Sequence, residues 1–187
     1  SAMIDVCSKY NIKLIAYGVV MGGFLTKKWL NKSEPKQENL NTWSEMKYKR
    51  FIDESGGWDR YQDLLRVINE IAFNHNASIA NICSKYILDN PLISGIIIGA
   101  RLGQNDHIID NQNILNIEIT KSERKKIEAA QKSFNSIPGN CGDEYRKAPY
   151  LTASGDLSHH YKKIPKVFDS SLVSKNPKHI SRIQKSM

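Results

Sequence analysis

The stretch Asn11-Ile-Lys-Leu-Ile-Ala-Tyr-Gly-Val-Val-Met-Gly-Gly-Phe-Leu25 decides the fold. Lys13 to Tyr17 is a short aliphatic run that stops at Gly18 and leads into a helix-like pattern. Further along, Gly95-Ile-Ile-Ile-Gly-Ala-Arg-Leu-Gly103 repeats the arrangement. Short, uniformly apolar runs closed by glycine loops are expected of buried parallel strands whose following loops hold a ligand. The sequence between them is helical in pattern and long enough for the crossover that parallel strands require.

Working outward, residues 3–10 have the character of a helix end that enters the first strand. A chain that begins inside an element is expected to have lost its beginning. After Leu25 comes a polar excursion of the length that loops over active sites often have. Residues 43–52 can form a short helix, stopped by Gly56-Gly57. From Trp58 the residues Tyr61, Leu64, Leu65, Ile68, Ile71 and Ala72 make one amphipathic stripe. Asn76-Ala-Ser78 punctuates it. Ile79, Ile82, Cys83, Tyr86 and Ile87 then continue as a second helix that Asn90-Pro91 halts, because proline disfavours helical geometry in the residue before it. Ile96 to Ile98 is expected to be the second strand, and Asp106 to Leu115 a short helix. Thr120-Lys-Ser-Glu123 is a capping box opening a helix to about Phe134, with Ile127, Ala130 and Phe134 on one side.

Two strands cannot form a sheet that buries both of its faces, so the pattern implies the end of a larger α/β structure. The expected organisation is two β/α units with their loops over residues 1–135, an extension over 136–160 and a basic tail over 161–187.

The composition, 40% apolar and 25% charged in 187 residues, fits one ordinary domain or part of one. No apolar run approaches the roughly twenty residues that span a bilayer, and the expectation is a cytoplasmic protein. Of the net charge of +8, seven Lys/Arg against two Asp place most between Gly155 and Met187. A solvated basic terminus explains this better than a nucleic-acid site. Cys7, Cys83 and Cys141 lack metal-type spacing and are expected to be reduced structural thiols. His75, His159 and His160 have no acidic or Cys partners at ligand spacing, so no metal is expected and they are taken as surface histidines. Ser154 and Ser158 lack the strand–elbow context of a hydrolase nucleophile.

Gly18, Gly22 and Gly23 follow the first strand, and Gly99 and Gly103 bracket the loop after the second. Ligands in parallel α/β sheets bind outside the carboxyl ends of the strands, and Arg101 could add a positive charge there. Without a Gly-x-Gly-x-x-Gly or Walker pattern, the glycines alone are better read as tight turns than as a phosphate site.

The same residues carry a resemblance. Ile12 to Leu25 resembles the seventh-strand segment of the aldo-keto reductases. Ser78 to Pro91, Ile96 to Arg101 and His107 to Asn111 resemble that family's last crossover helix, eighth strand and cofactor loop. Leu40-Asn41-Thr42, Gly56-Gly-Trp58 and Gly142-Asp-Glu-Tyr-Arg146 are similar to stretches in one of its subgroups. The likeness covers about residues 4–160.

What it implies is the C-terminal part of a (β/α)8 TIM barrel, incomplete in this chain, that uses NADP(H) to reduce small carbonyl compounds. Active sites of such barrels lie at the C-terminal face of the strands. By this resemblance Tyr17 would stack on the nicotinamide, Gly18 stands where Ser is frequent, and Val19, Val20, Met21 and Gly22 would lie along the pyrophosphate. Lys28 would sit near that phosphate. Gly99, Ala100 and Arg101 would approach the adenosine 2′-phosphate, a group suited to a guanidinium fork. Asp110 and Asn111 would meet the adenine. Leu102 replaces a frequent Ser and His107 a frequent Arg, which leaves NAD(H) open beside NADP(H).

The family's catalytic Asp, Tyr, Lys and His fall on earlier strands, and nothing in this chain aligns with them. Hydride transfer to a carbonyl needs a proton donor at its oxygen. The chain is therefore expected to be inactive alone, the alternative being a non-catalytic scaffold or regulatory module. Unpaired edges and uncovered apolar faces further imply an oligomer or a completing partner chain.

Overall fold

The order of elements follows from where the chain can stop each helix. The structure, a computed structural model, describes residues 2–100 and 107–137. Helix α1 (Ala2–Lys9) leads into strand β1 (Leu14–Tyr17); helices α2 (Trp43–Glu54), α3 (Trp58–Asn74) and α4 (Ile79–Leu88) precede strand β2 (Ile93–Ile97); α5 (Ile108–Gln112) and α6 (Lys121–Gln131) follow. Asn76 closes α3 at φ 48°. Its N–H bonds Phe73 O at 3.1 Å and the next N–H, from Ala77, reaches Ala72 O at 2.9 Å. That pair of bonds satisfies carbonyls a helix end would otherwise orphan. Asn11 ends α1 in the same way at φ 52°, with the Ile12 N–H on Cys7 O at 2.9 Å.

β1 and β2 pair in parallel, Ile15 opposite Gly95 and Tyr17 opposite Ile97, with a register irregularity after Leu14. The Ser94 hydroxyl donates to the Leu14 carbonyl oxygen there at 3.3 Å. β2 begins three residues earlier than expected, at Ile93, because the Asn90–Pro91 turn is tight: the Ile93 N–H already returns to Asn90 O at 2.8 Å.

Helices cover one face of this pair. α4 packs on β2 and α3, and α6 packs on α3. The stripe read from the sequence faces inward through Tyr61, Leu65, Ile68, Ile71 and Ala72, all buried, while Leu64 is half-buried. Burying each such aliphatic side chain contributes about 1.5–3 kcal/mol. The other face carries Ile15 and Tyr17, exposed at 63% and 62%, with Ile97 at 60%.

The capping box forms as expected. The Glu123 N–H donates to Thr120 Oγ1 at 3.2 Å and the Thr120 N–H to Glu123 Oε2 at 2.9 Å. α6 stops at Gln131 rather than near Phe134. There the Arg60 guanidinium donates to Ser133 O at 2.6 Å, and the Asn135 N–H turns to Ser55 O at 2.8 Å instead of continuing the helical ladder.

Cys7 and Cys83 are free and buried, and burial pushes the Cys83 thiol up to about 12. His75 departs from the expected surface histidine: it is half-buried, with Nε2 3.0 and 3.1 Å from the two Glu123 carboxylate oxygens.

Residues 35–42 group apart from this body and contain a 3₁₀ turn, Gln37–Asn39. Arg101, Leu102, Gly103, Cys141, the extension beyond Ile137 and the basic tail lie outside the described residues, as do Ser154, Ser158, His159 and His160. Among the described residues no helix is long and apolar enough to cross a membrane.

Candidate functional site at the strand ends

β1 delivers Tyr17 to its C-terminal end because alternation along Leu14–Tyr17 half-buries Leu14 and Ala16 and exposes Ile15 and Tyr17. The ring therefore stands beside Ile97 on the uncovered face, where an aromatic plane can receive a flat ligand.

The chain then turns sharply. The Met21 N–H bonds Gly18 O at 2.8 Å, the Leu25 N–H bonds Val20 O at 3.1 Å, and the Phe24 N–H bonds Met21 O at 3.1 Å. Gly18 and Gly22 adopt φ 71° and 62°. At both positions α2 also occupies the space a side chain would need. A Cβ on Gly18 would fall on the Tyr48 hydroxyl, and one on Gly22 would lie 2.8 Å from Ser44 Cβ. These glycines serve helix packing. Gly23 (φ 97°) and Gly99, by contrast, would place a Cβ in open space. Val19 is buried, and Val20 and Met21 are half-buried.

The polar excursion beyond Leu25 is held down rather than free. Phe24 is fully buried and stacks on Trp29 at 4.9 Å between ring centres, with Trp58 and Tyr61 edge-on. Each partner also secures backbone: Tyr61 Oη donates to Phe24 O at 2.5 Å, Gln62 Nε2 to Trp29 O at 2.9 Å, and Trp58 Nε1 to Lys32 O at 2.8 Å. The Asn31 N–H donates in turn to Gln62 Oε1 at 2.8 Å. The sequence marked Tyr61 only as part of an apolar stripe and did not single out Gln62. A Gln one residue beyond a buried Tyr on the helix was the signal available.

Lys28 does not stand clear for a phosphate. Its ammonium pairs with Glu45 Oε1 at 2.7 Å and sits 4.6 Å from the Trp29 ring centre, although its side chain stays 59% exposed. An exchange of partners would be needed before it met another anion.

At the far strand, Gly99 and Ala100 are exposed and Arg101 is not described. His107, exposed, precedes α5, and Asn111 is half-buried within it. Asp110 is engaged by α4: Asn81 Nδ2 donates to its backbone oxygen at 3.0 Å and to Oδ1 at 3.1 Å, and Ser78 Oγ to Oδ2 at 2.9 Å. Neither Ser78 nor Asn81 carries, in the sequence alone, a signal for a role at this site.

An open polar groove of about 440 Å³ lies elsewhere, between residues 31–34 and the first turns of α3. Its Gln62 and Trp58 polar atoms already hold backbone groups, so it is a poorer candidate than the strand ends. Among the described residues no group of three or more His, Cys, Asp or Glu could hold a metal ion.

A helix-backed pair of parallel strands, with an exposed aromatic and glycine loops at their carboxyl ends, defines an α/β protein whose candidate site is at the strand ends. Residues 1–132 match the model of the aldo/keto reductase family, and the chain belongs to that family. It is also similar to flagellar radial spoke protein 5 of Chlamydomonas reinhardtii, 30% identical over 89 residues. That alignment covers 46% of this chain and 17% of the relative, so the chain spans less than a fifth of that relative's length. Aldo/keto reductases generally bind nicotinamide cofactors and have a (β/α)8 barrel-type fold.

The exposed Tyr17 ring and the open space beside Gly23 and Gly99 fit a dinucleotide. The engaged Lys28 and Asp110 fit it less directly.

Proposed function

We propose that this chain forms the cofactor-holding end of an aldo/keto reductase barrel, binding NADP(H) and contributing to carbonyl reduction together with catalytic residues that it does not itself carry. The observation that carries the reading is Tyr17, an aromatic ring 62% exposed at the carboxyl end of a strand whose neighbour runs parallel. When bound, the nicotinamide supplies the hydride. The chain's part is to bind and orient it: Tyr17 would face the ring, Gly18 to Gly22 and Lys28 would border the pyrophosphate, Gly99 and Ala100, with Arg101 by the family resemblance, would serve the 2′-phosphate, and His107 and Asn111, flanking an Asp110 that α4 engages, would serve the adenosine. NAD(H) would use the same site without the 2′-phosphate contact.

The barrel is incomplete in this reading. Ile15, Tyr17 and Ile97 would face its interior, against the barrel's remaining staves. With no residue aligned to the tetrad, the chain alone should turn over no carbonyl substrate. Titrating the 187-residue chain with NADPH, while following the cofactor's fluorescence, tests the site. Saturable binding weakened by Tyr17→Ala supports it, whereas binding indifferent to both Tyr17→Ala and Arg101→Ala counts against it.

A second reading is a non-catalytic scaffold built on the reductase fold. It is favoured by the likeness to a flagellar radial spoke protein and by the absent tetrad. It predicts no carbonyl reduction even when the partner that covers the Ile15 face is present.

A further inference from the structure

Asn81, the third residue of the crossover helix α4, is fully buried, yet its side chain serves a residue in another element. Its amide NH2 meets both the backbone oxygen and Oδ1 of Asp110, while its own Oδ1 is buried and finds no donor among the described residues. A buried carbonyl oxygen without a donor is unfavourable. Turning the amide over would be worse, since it would set that oxygen against a carboxylate and a backbone carbonyl. Asp110 therefore fixes the orientation. Ser78 acts from the same helix start: its hydroxyl accepts the Asn81 N–H at 3.1 Å and donates to Asp110 Oδ2 at 2.9 Å. Both carboxylate oxygens of Asp110 are thus held by α4, although the residue lies at the surface.

We infer that Ser78 and Asn81 are positioning residues that clasp Asp110, setting the His107–Asn111 segment against α4 for the adenosine end of the dinucleotide, and that Asp110 itself is not a cofactor ligand. This rests on the cofactor reading above. The clasp reaches the backbone as well as the side chain, so it fixes the turn in which the Asn111 N–H bonds His107 O at 2.8 Å. Losing it leaves Asn111 and His107 present but misplaced, which weakens binding without removing any group that touches the ligand.

The test is NADPH titration of the full chain carrying Asn81→Ala, Asp110→Ala, both together, Ser78→Gly and Ser78→Thr. Loss of a charge-assisted bond that holds the segment in its binding arrangement lowers the competent fraction, and with it the apparent affinity, by about tenfold. Asn81→Ala and Asp110→Ala should each weaken NADPH binding by about that factor, and the double variant no further, because the two act as one unit. Ser78→Gly keeps most of the helix cap and so remains folded even if Asn81→Ala does not; it should weaken binding, and Ser78→Thr should restore it. Losses that add, with Asp110→Ala much the larger, would make Asp110 a direct ligand and overturn the inference. Unchanged affinity in Asn81→Ala and Ser78→Gly would overturn it too. Failure of the unsubstituted chain to bind NADPH would sink the cofactor reading separately. The clasp is then judged by amide exchange at Asn111, which should speed up in Ser78→Gly while α3 keeps its protection; equal exchange refutes it.

Discussion

The Tyr61 hydroxyl donates to the Phe24 carbonyl oxygen at 2.5 Å, tying α3 to the loop that leaves β1. Burial pushes the phenol well above its ordinary range, so it remains a donor throughout the accessible pH range. Tyr61→Phe keeps the ring packing against Phe24 and Trp58 but orphans a buried carbonyl oxygen. A loss of about 1–3 kcal/mol in unfolding free energy is expected, read from urea titration with an unchanged slope.

Gly18 has two separate reasons to be glycine, and they can be taken apart. Gly18→Ala should be destabilising through its φ of 71°, by about 1–2 kcal/mol, and further through collision with the Tyr48 hydroxyl. Adding Tyr48→Phe should recover the collision and leave the backbone strain. Full recovery in thermal unfolding would mean that conformation has no part in the choice of glycine.

Glu123 joins three contacts at the start of α6. Partial burial works to raise its carboxyl, but bonds from the Thr120 N–H, His75 and the Thr120 hydroxyl prevail and hold it below its ordinary 4.5. A carboxyl lowered on folding contributes stability that is full above its unfolded value and lost as pH falls through the folded one. The protein should therefore lose stability below about pH 4.5. Glu123→Gln should lower the melting temperature at pH 7 and flatten that acid limb; an unchanged limb would place the acid sensitivity elsewhere.

Ile15 tests the uncovered face. Its side chain is 63% exposed on a strand that pairs with β2 alone among the described residues. Exposed apolar strands associate. Sedimentation should show the chain self-associating, and Ile15→Asp should shift it toward monomer. A monomeric chain at micromolar concentration, with or without the substitution, would remove the case for a completing copy.

Much of the fold was legible because its signals are local. The periodicity of Tyr61 to Ala72, the halt at Asn90-Pro91 and the Thr120–Glu123 box each follow from neighbours in sequence, and each element formed. The start of β2 was misplaced because Ile93 to Ile97 is interrupted by Ser94 and Gly95, whose irregular register only the partner strand reveals. The site was less legible. Tyr61 to Phe24, Gln62 to Trp29 and Asn81 to Asp110 join a side chain to distant backbone, and such bonds leave no period in the sequence. The same limit applies to Lys28, whose pairing with Glu45 depends on how α2 folds back over the loop.

The central claim is that a dinucleotide lies across the carboxyl ends of two adjacent parallel strands. Amide hydrogen exchange on the 187-residue chain, with and without saturating NADPH, addresses it directly. The prediction is slowed exchange in residues 18–25 after β1 and in residues 108–112 after β2 together, with α6 unaffected. Slowing confined to one of the two loops, or confined to the groove beside Asn31 and Arg66, would contradict it.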